Sequence, residues 1–178
     1  DLPFGSYESS PEQALATSIR FFKEAGAMAV KLEGAHLETV EKLTSSGIPV
    51  MGHLGLTPQS LHQLGGYKVQ GRTDGEVMKT AALALEKAGA FAIVLELVPE
   101  ELAKEITAAL TIPTIGIGAG NVTDAQVLVW TDMAGVTAKP PKLAKAYRNL
   151  RKELLDATKE YADEVRSGAF PTEAQTFH

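Results

Sequence analysis

Ala25-Gly26-Ala27-Met28-Ala29-Val30-Lys31-Leu32-Glu33 is nearly repeated as Ala88-Gly89-Ala90-Phe91-Ala92-Ile93-Val94-Leu95-Glu96. Each copy reads as a helix stop at the glycine, a short apolar strand and a carboxylate at the strand's far end. A second pair keeps the same spacing: Ile48-Pro49-Val50-Met51-Gly52-His53 is answered by Ile112-Pro113-Thr114-Ile115-Gly116. Glu33 and Glu96 lie 63 residues apart, Ile48 and Ile112 lie 64 apart. A period of that size is two strand–helix units, the signature of parallel α/β architecture. Catalytic groups in such folds sit where strands end, and both glutamates are there.

Outward from these repeats, Ser10-Pro11-Glu12-Gln13 opens a helix with a capping serine, proline at the first helical position and a glutamine to close a capping box. Gly26 stops it. Strands are expected over residues 30–33, 48–54, 91–96, 114–117 and 126–130, and helices over 36–45, 73–88 and 99–110. Thr73 and Glu76 form a second capping-box pattern. Residues 57–72 read as a long polar loop of the kind that is functional or mobile. From Leu143, apolar residues recur every three or four positions through Tyr147, Leu150, Leu154, Ala157, Tyr161 and Val165, predicting one helix ended by Gly168. Five strands cannot close a barrel that requires eight. An open sheet and a barrel lacking its first three units both remain. The unit length of about 32 residues favours the barrel. So does the lack of a Gly-x-Gly-x-x-Gly after the first strand.

Composition narrows the partners. The 178 residues are 44% hydrophobic and 22% charged, which fits one folded domain over residues 1–178. The net charge of −5 and the lack of any Lys/Arg run argue against nucleic acid. No apolar run is long enough for a bilayer. With no cysteine, disulfides and thiolate metal sites are excluded, and a cytoplasmic protein is expected. The chain opens on Asp1 with no Met, so a processed chain or a piece of a longer one is expected.

Glu33 and Glu96 are separated by one intervening strand, so in a barrel their carboxylates face one cavity. The plainer alternative for either is a helix cap or a lysine pair. Lys31, two residues before Glu33, shares its face and would be a buried cation beside an anion. It is either a structural ion pair or a binder of a substrate carboxylate. His53 ends its strand and is more often structural than a ligand, leaving it as a supporting residue at most. Asp1 reads as a strand-end, hard-metal ligand. The Gly116–Gly120 loop resembles a phosphate grip, with a tight turn as the favoured alternative.

Asp1-Leu2-Pro3-Phe4, Val30-Lys31-Leu32-Glu33-Gly34, residues 52–59 (Gly-His-Leu-Gly-Leu-Thr-Pro-Gln), residues 64–72 (Leu-Gly-Gly-Tyr-Lys-Val-Gln-Gly-Arg) and residues 112–120 (Ile-Pro-Thr-Ile-Gly-Ile-Gly-Ala-Gly) together resemble the ketopantoate hydroxymethyltransferases. The motifs occur in family order along the whole chain. The resemblance implies an α/β protein, a (β/α)8 TIM barrel, carried here from the end of strand 3 to the C-terminal helix as the C-terminal two thirds of the domain. It implies transfer of a hydroxymethyl group from 5,10-methylenetetrahydrofolate to 3-methyl-2-oxobutanoate through a Mg2+-stabilised enolate, giving 2-dehydropantoate in pantothenate biosynthesis. By the same resemblance Asp1 and Glu33 are metal ligands, Asp1 and Lys31 bind the keto acid, Glu96 takes the proton, and the protein is a homo-oligomer, commonly a decamer.

Departures from the family pattern are Ala35 in place of a glycine, and Asn121 and Ala125 in place of a proline and a glycine. None falls on a matched catalytic position. The family's first part, with another metal-site aspartate and a substrate-binding serine, has no counterpart among these residues. Competing readings are a Mg2+-dependent lyase or mutase on a related 2-oxo acid and a non-catalytic fragment.

Overall fold

A computed structural model describes residues 1–178. The chain forms two compact units, residues 1–127 and 128–178. No helix is long and apolar enough to cross a membrane.

The first unit alternates helix and strand: α1 (Pro11–Ala25), β1 (Val30–Lys31), α2 (Leu37–Ser45), β2 (Val50–Gly55), a 3-10 turn (Pro58–Ser60), the single turn α3 (Leu61–Leu64), α4 (Gly75–Lys87), β3 (Ala92–Glu96), α5 (Glu100–Ala109), β4 (Thr114–Ile117) and β5 (Ala125–Gln126). The five strands pair in sequence order and all are parallel. Parallel neighbours in sequence order require a crossover at each step, and such crossovers are almost always right-handed. The expected parallel α/β arrangement is therefore present as a five-stranded sheet.

Local chemistry sets the boundaries. Ser10 caps α1 by accepting from Gln13 N, and Gly26 ends it in the left-handed conformation at φ 66°. The Gln13 side chain donates to Gly5 O rather than back to Ser10, so only half of the expected capping box forms. The second expected box is absent: Asp74, not Thr73, is the N-cap of α4, and its side chain makes no capping bond. The ladder of β1 is short, but Leu32 N and Gly34 N continue it to Met51 O and His53 O. Residues 57–72 are less loop-like than expected, because Pro58 starts the 3-10 turn and α3 follows. The expected strand over 126–130 stops at Gln126.

The core lies between the sheet and α2, α4 and α5. Leu43, Leu85 and Ile106 from these helices are fully buried with Val50, Ile93 and Leu95 from the strands. Each such side chain contributes about 1.5–3 kcal/mol by leaving water.

In the second unit, Val129 O accepts from Asp132 N and Met133 N, turning the chain into α6 (Trp130–Met133). The long helix α7 (Leu150–Ser167) begins seven residues later than the apolar stripe predicts. Tyr147 N, Leu150 N and Arg151 N donate to Met133 O, Ala134 O and Gly135 O, and Asn149 accepts from Lys152 N. Backbone donors spent on α6 cannot serve an earlier turn of α7. Gly168 closes α7 at φ 75°. Leu150, Leu154, Leu155, Tyr161 and Val165 are exposed along it.

Candidate active site

Parallel pairing sets Lys31 opposite Met51, His53 opposite Val94, and Gly55 opposite Glu96. Paired residues share a face and side chains alternate along each strand. Val50, Gly52 and Leu54 thus face the helices with Ile93 and Leu95, and a Cβ on Gly52 would lie 3.2 Å from Leu85 Cδ1 of α4. Lys31, Glu33, His53 and Glu96 point to the opposite face, at the carboxyl ends of the strands.

The four side chains and Asp1 converge there. Lys31 Nζ is 2.7 Å from Asp1 Oδ1 and 3.2 Å from His53 Nδ1. On its other side His53 Nε2 is 3.2 Å from Glu96 Oε2, and Glu33 Oε1 is 3.9 Å from His53 Nδ1. An ammonium group only donates, so the contact with Lys31 makes Nδ1 the acceptor and leaves the ring proton on Nε2, facing Glu96. Nε2 is buried and, despite the short distance, makes no hydrogen bond. A buried donor is therefore aimed at Glu96 without locking it.

Burial pulls the Lys31 ammonium below the usual lysine range, while Glu33 and Glu96 pull it back up. Its ion partner is Asp1 rather than the sequence neighbour Glu33. Three carboxylates face one lysine here, a field that suits a cation.

Glu33 is held from behind. Its Oε2 accepts from Gln59 N at 2.8 Å, and its own N–H donates to Tyr7 Oη at 3.4 Å. Tyr7 Oη donates to Gln59 Oε1 at 2.6 Å, and Gln59 Nε2 donates to Leu2 O at 2.9 Å. Burial, aided by the charges of Glu8 and Glu33 and opposed by the Glu33 N–H, pushes the Tyr7 phenol up to about 12. Sequence reasoning missed Tyr7 and Gln59 as supports. Gln59 stands inside a quoted motif and carried that signal; Tyr7 carried none, since a lone tyrosine has no periodic or spacing mark.

Glu96 is placed by its backbone. A Cβ on Gly55 would fall 2.1 Å from Glu96 O, so only glycine lets β2 and β3 run this close, and Leu56 N donates to Glu96 O at 2.8 Å. Leu97 is the chain's one non-glycine residue with positive φ, at 49°. Such a conformation costs on the order of 1–3 kcal/mol and is held by neighbours. Here Leu97 N donates to Ile117 O and Leu97 O accepts from Gln70 N, joining β3, β4 and the 57–72 segment directly behind Glu96.

The Gly116–Gly120 loop does not offer an open phosphate cradle. A Cβ on Gly120 would meet the Glu100 carboxylate group at 2.8–2.9 Å, so an acidic group fills the space and the turn reading stands. Beside the strand ends lies a hollow of about 220 Å³ lined by Gly34, Leu54, Gly55, Thr57, Gln70 and Met78, among others. No three His, Asp or Glu side chains converge to cage a metal ion unaided. Asp1 and Glu33 are hard oxygen donors, and Glu33 Oε1 accepts no hydrogen bond. One or two carboxylates with water and substrate oxygens is an arrangement Mg2+ accepts, so the donor set fits it.

Known proteins resemble this chain closely. The model of the family described as ketopantoate hydroxymethyltransferase matches residues 1–173. A protein of Saccharopolyspora erythraea named 3-methyl-2-oxobutanoate hydroxymethyltransferase is 60% identical over 99% of this chain and 62% of its own length. One of the same name from Thermobifida fusca is 56% identical over 99% of this chain and 65% of its own. The chain thus spans somewhat under two thirds of these relatives. A solved phosphonopyruvate hydrolase complexed with oxalate and Mg2+ aligns with 94% of the chain and 61% of its own at a TM-score of 0.47 and 16% identity, a likeness too loose to bear on fold or chemistry.

Proposed function

The chain belongs to the ketopantoate hydroxymethyltransferase family, and on that footing we propose that its protein transfers a hydroxymethyl group from 5,10-methylenetetrahydrofolate to 3-methyl-2-oxobutanoate, giving 2-dehydropantoate. The observation that carries this reading is the convergence of Asp1, Lys31, Glu33 and Glu96 around His53 at the strand ends.

In this reading Lys31 pairs with the substrate carboxylate. Asp1 and Glu33 hold Mg2+, which when bound polarises the keto oxygen. Glu96 is the base. The C3–H bond breaks, its proton passes to the Glu96 carboxylate, and the electron pair moves through C2 onto the keto oxygen. C3 then bonds to the folate's methylene carbon as one of its two C–N bonds breaks; water replaces the second C–N bond and supplies the hydroxyl oxygen, and tetrahydrofolate leaves with the proton held by Glu96 and one from the water. The buried Nε2 of His53 faces the Glu96 carboxylate without a hydrogen bond, which leaves the carboxylate free to take the proton. Residues 1–178 make up the C-terminal two thirds of a (β/α)8 barrel domain, for which the parallel sheet in sequential strand order is the support. The protein is a cytoplasmic homo-oligomer, a decamer by family resemblance, and the exposed apolar residues of α7 favour association.

The test is hydroxymethyl transfer by the full-length protein, followed by NMR with and without Mg2+. Formation of 2-dehydropantoate only with folate and metal is expected; cleavage of a 2-oxo acid without folate would overturn the assignment.

A further inference from the structure

Gln59 is the residue through which the two carboxylates read as metal donors are tied to each other. It sits just after β2 in the 3-10 turn Pro58–Ser60. Pro58 has no N–H, so Gln59 N is the first free donor of that turn, and it is spent on Glu33 Oε2 at 2.8 Å. The side chain works in the other direction. Nε2 donates to Leu2 O, the carbonyl next to Asp1, and Oε1 accepts from Tyr7 Oη. A carbonyl can only accept, so Leu2 O fixes which end of the amide is nitrogen. Leu2 N is meanwhile bonded to Lys31 O at 2.8 Å. The Asp1 segment is thus held on one side by β1 and on the other by Gln59, and Leu2 and Tyr7 are both almost wholly buried.

We propose that Gln59 is a positioning residue that sets the Asp1-bearing segment and Glu33 at the separation one Mg2+ requires. The proposal rests on the metal reading given above. Partners behind a ligand commonly change metal affinity by about 10–100-fold when removed.

The experiment compares the full-length parent with Gln59→Met, which keeps length and the backbone N–H but loses both side-chain bonds. Gln59→Glu is the second variant: it keeps the acceptor for Tyr7 and places a carboxylate oxygen against Leu2 O. Mg2+ alone is titrated by calorimetry, amide exchange over residues 1–8 is followed by mass spectrometry, and melting temperature is recorded. Expected are Mg2+ binding weakened about tenfold or more in Gln59→Met, less in Gln59→Glu, and faster exchange over residues 1–8 in both. A variant that is merely less stable melts earlier but titrates like the parent. Parent-like Mg2+ affinity in both variants, or weakened affinity with unchanged exchange, would overturn the positioning role alone. A parent that binds no Mg2+ would overturn the metal reading and this role together.

Discussion

The ends of β1 and β3 carry the same residue at the same point of the repeat, yet they are built differently. Glu33 is buried and fastened, with one oxygen on Gln59 N and its backbone on Tyr7. Glu96 is fastened only through its backbone, by Leu56 N, while its carboxylate faces a histidine nitrogen that forms no hydrogen bond. The difference matches the two tasks proposed for the repeated glutamate. A ligand gains from a rigid support that holds its oxygen in place. A base must change protonation state, and strong bonds to its charged form would lower its affinity for the proton.

Breaking the β3 side has the largest expected effect. Glu96→Gln should bind the keto acid but lose exchange of the substrate's C3 proton with deuterated water by about 10²–10⁴-fold, as followed by proton NMR. Unchanged exchange would remove Glu96 as base and leave the two ends functionally alike. Glu33→Gln breaks the β1 side: one anionic oxygen becomes neutral, and Mg2+ affinity by calorimetry should fall by at least about tenfold with the fold intact. Equal affinity would mean that the rigid end is structural only.

The smallest effect sharpens the contrast. Below pH 10, the ordinary tyrosine value, folded and unfolded chains both keep the Tyr7 proton. Between 10 and about 12 the unfolded chain loses it while the folded chain retains it, so the folded state binds more protons. This contribution is complete below pH 10 and is lost as pH rises through about 12. Tyr7→Phe should flatten that alkaline limb in urea unfolding and cost about 0.5–1.5 kcal/mol at neutral pH for the lost hydrogen bond. An unaltered limb would show that Tyr7 is not the group responsible.

Much of the strand–helix order was legible because it follows from local signals. Glycine stops, the Ser10 cap and short apolar runs act within a few residues. The misjudged boundaries are those where distant backbone groups compete. The late start of α7 depends on carbonyls of α6, and Thr73 gives way to Asp74 as the cap of α4. The early end of β5 belongs with these: Val127 N still reaches Gly116 O, after which the chain turns on Val129 O.

At the site, the sequence by itself determined which residues carry charge and which strand ends they occupy, because a parallel repeat with period-two side chains puts Lys31, Glu33 and Glu96 on one face. Only the tertiary structure decided who pairs with whom. Lys31 turns to Asp1 and His53 rather than to Glu33, since those groups reach it across the sheet. Glu33 takes its support from Gln59, 26 positions away. His53 becomes the hub because strand register, which no local pattern encodes, sets it between the two glutamates.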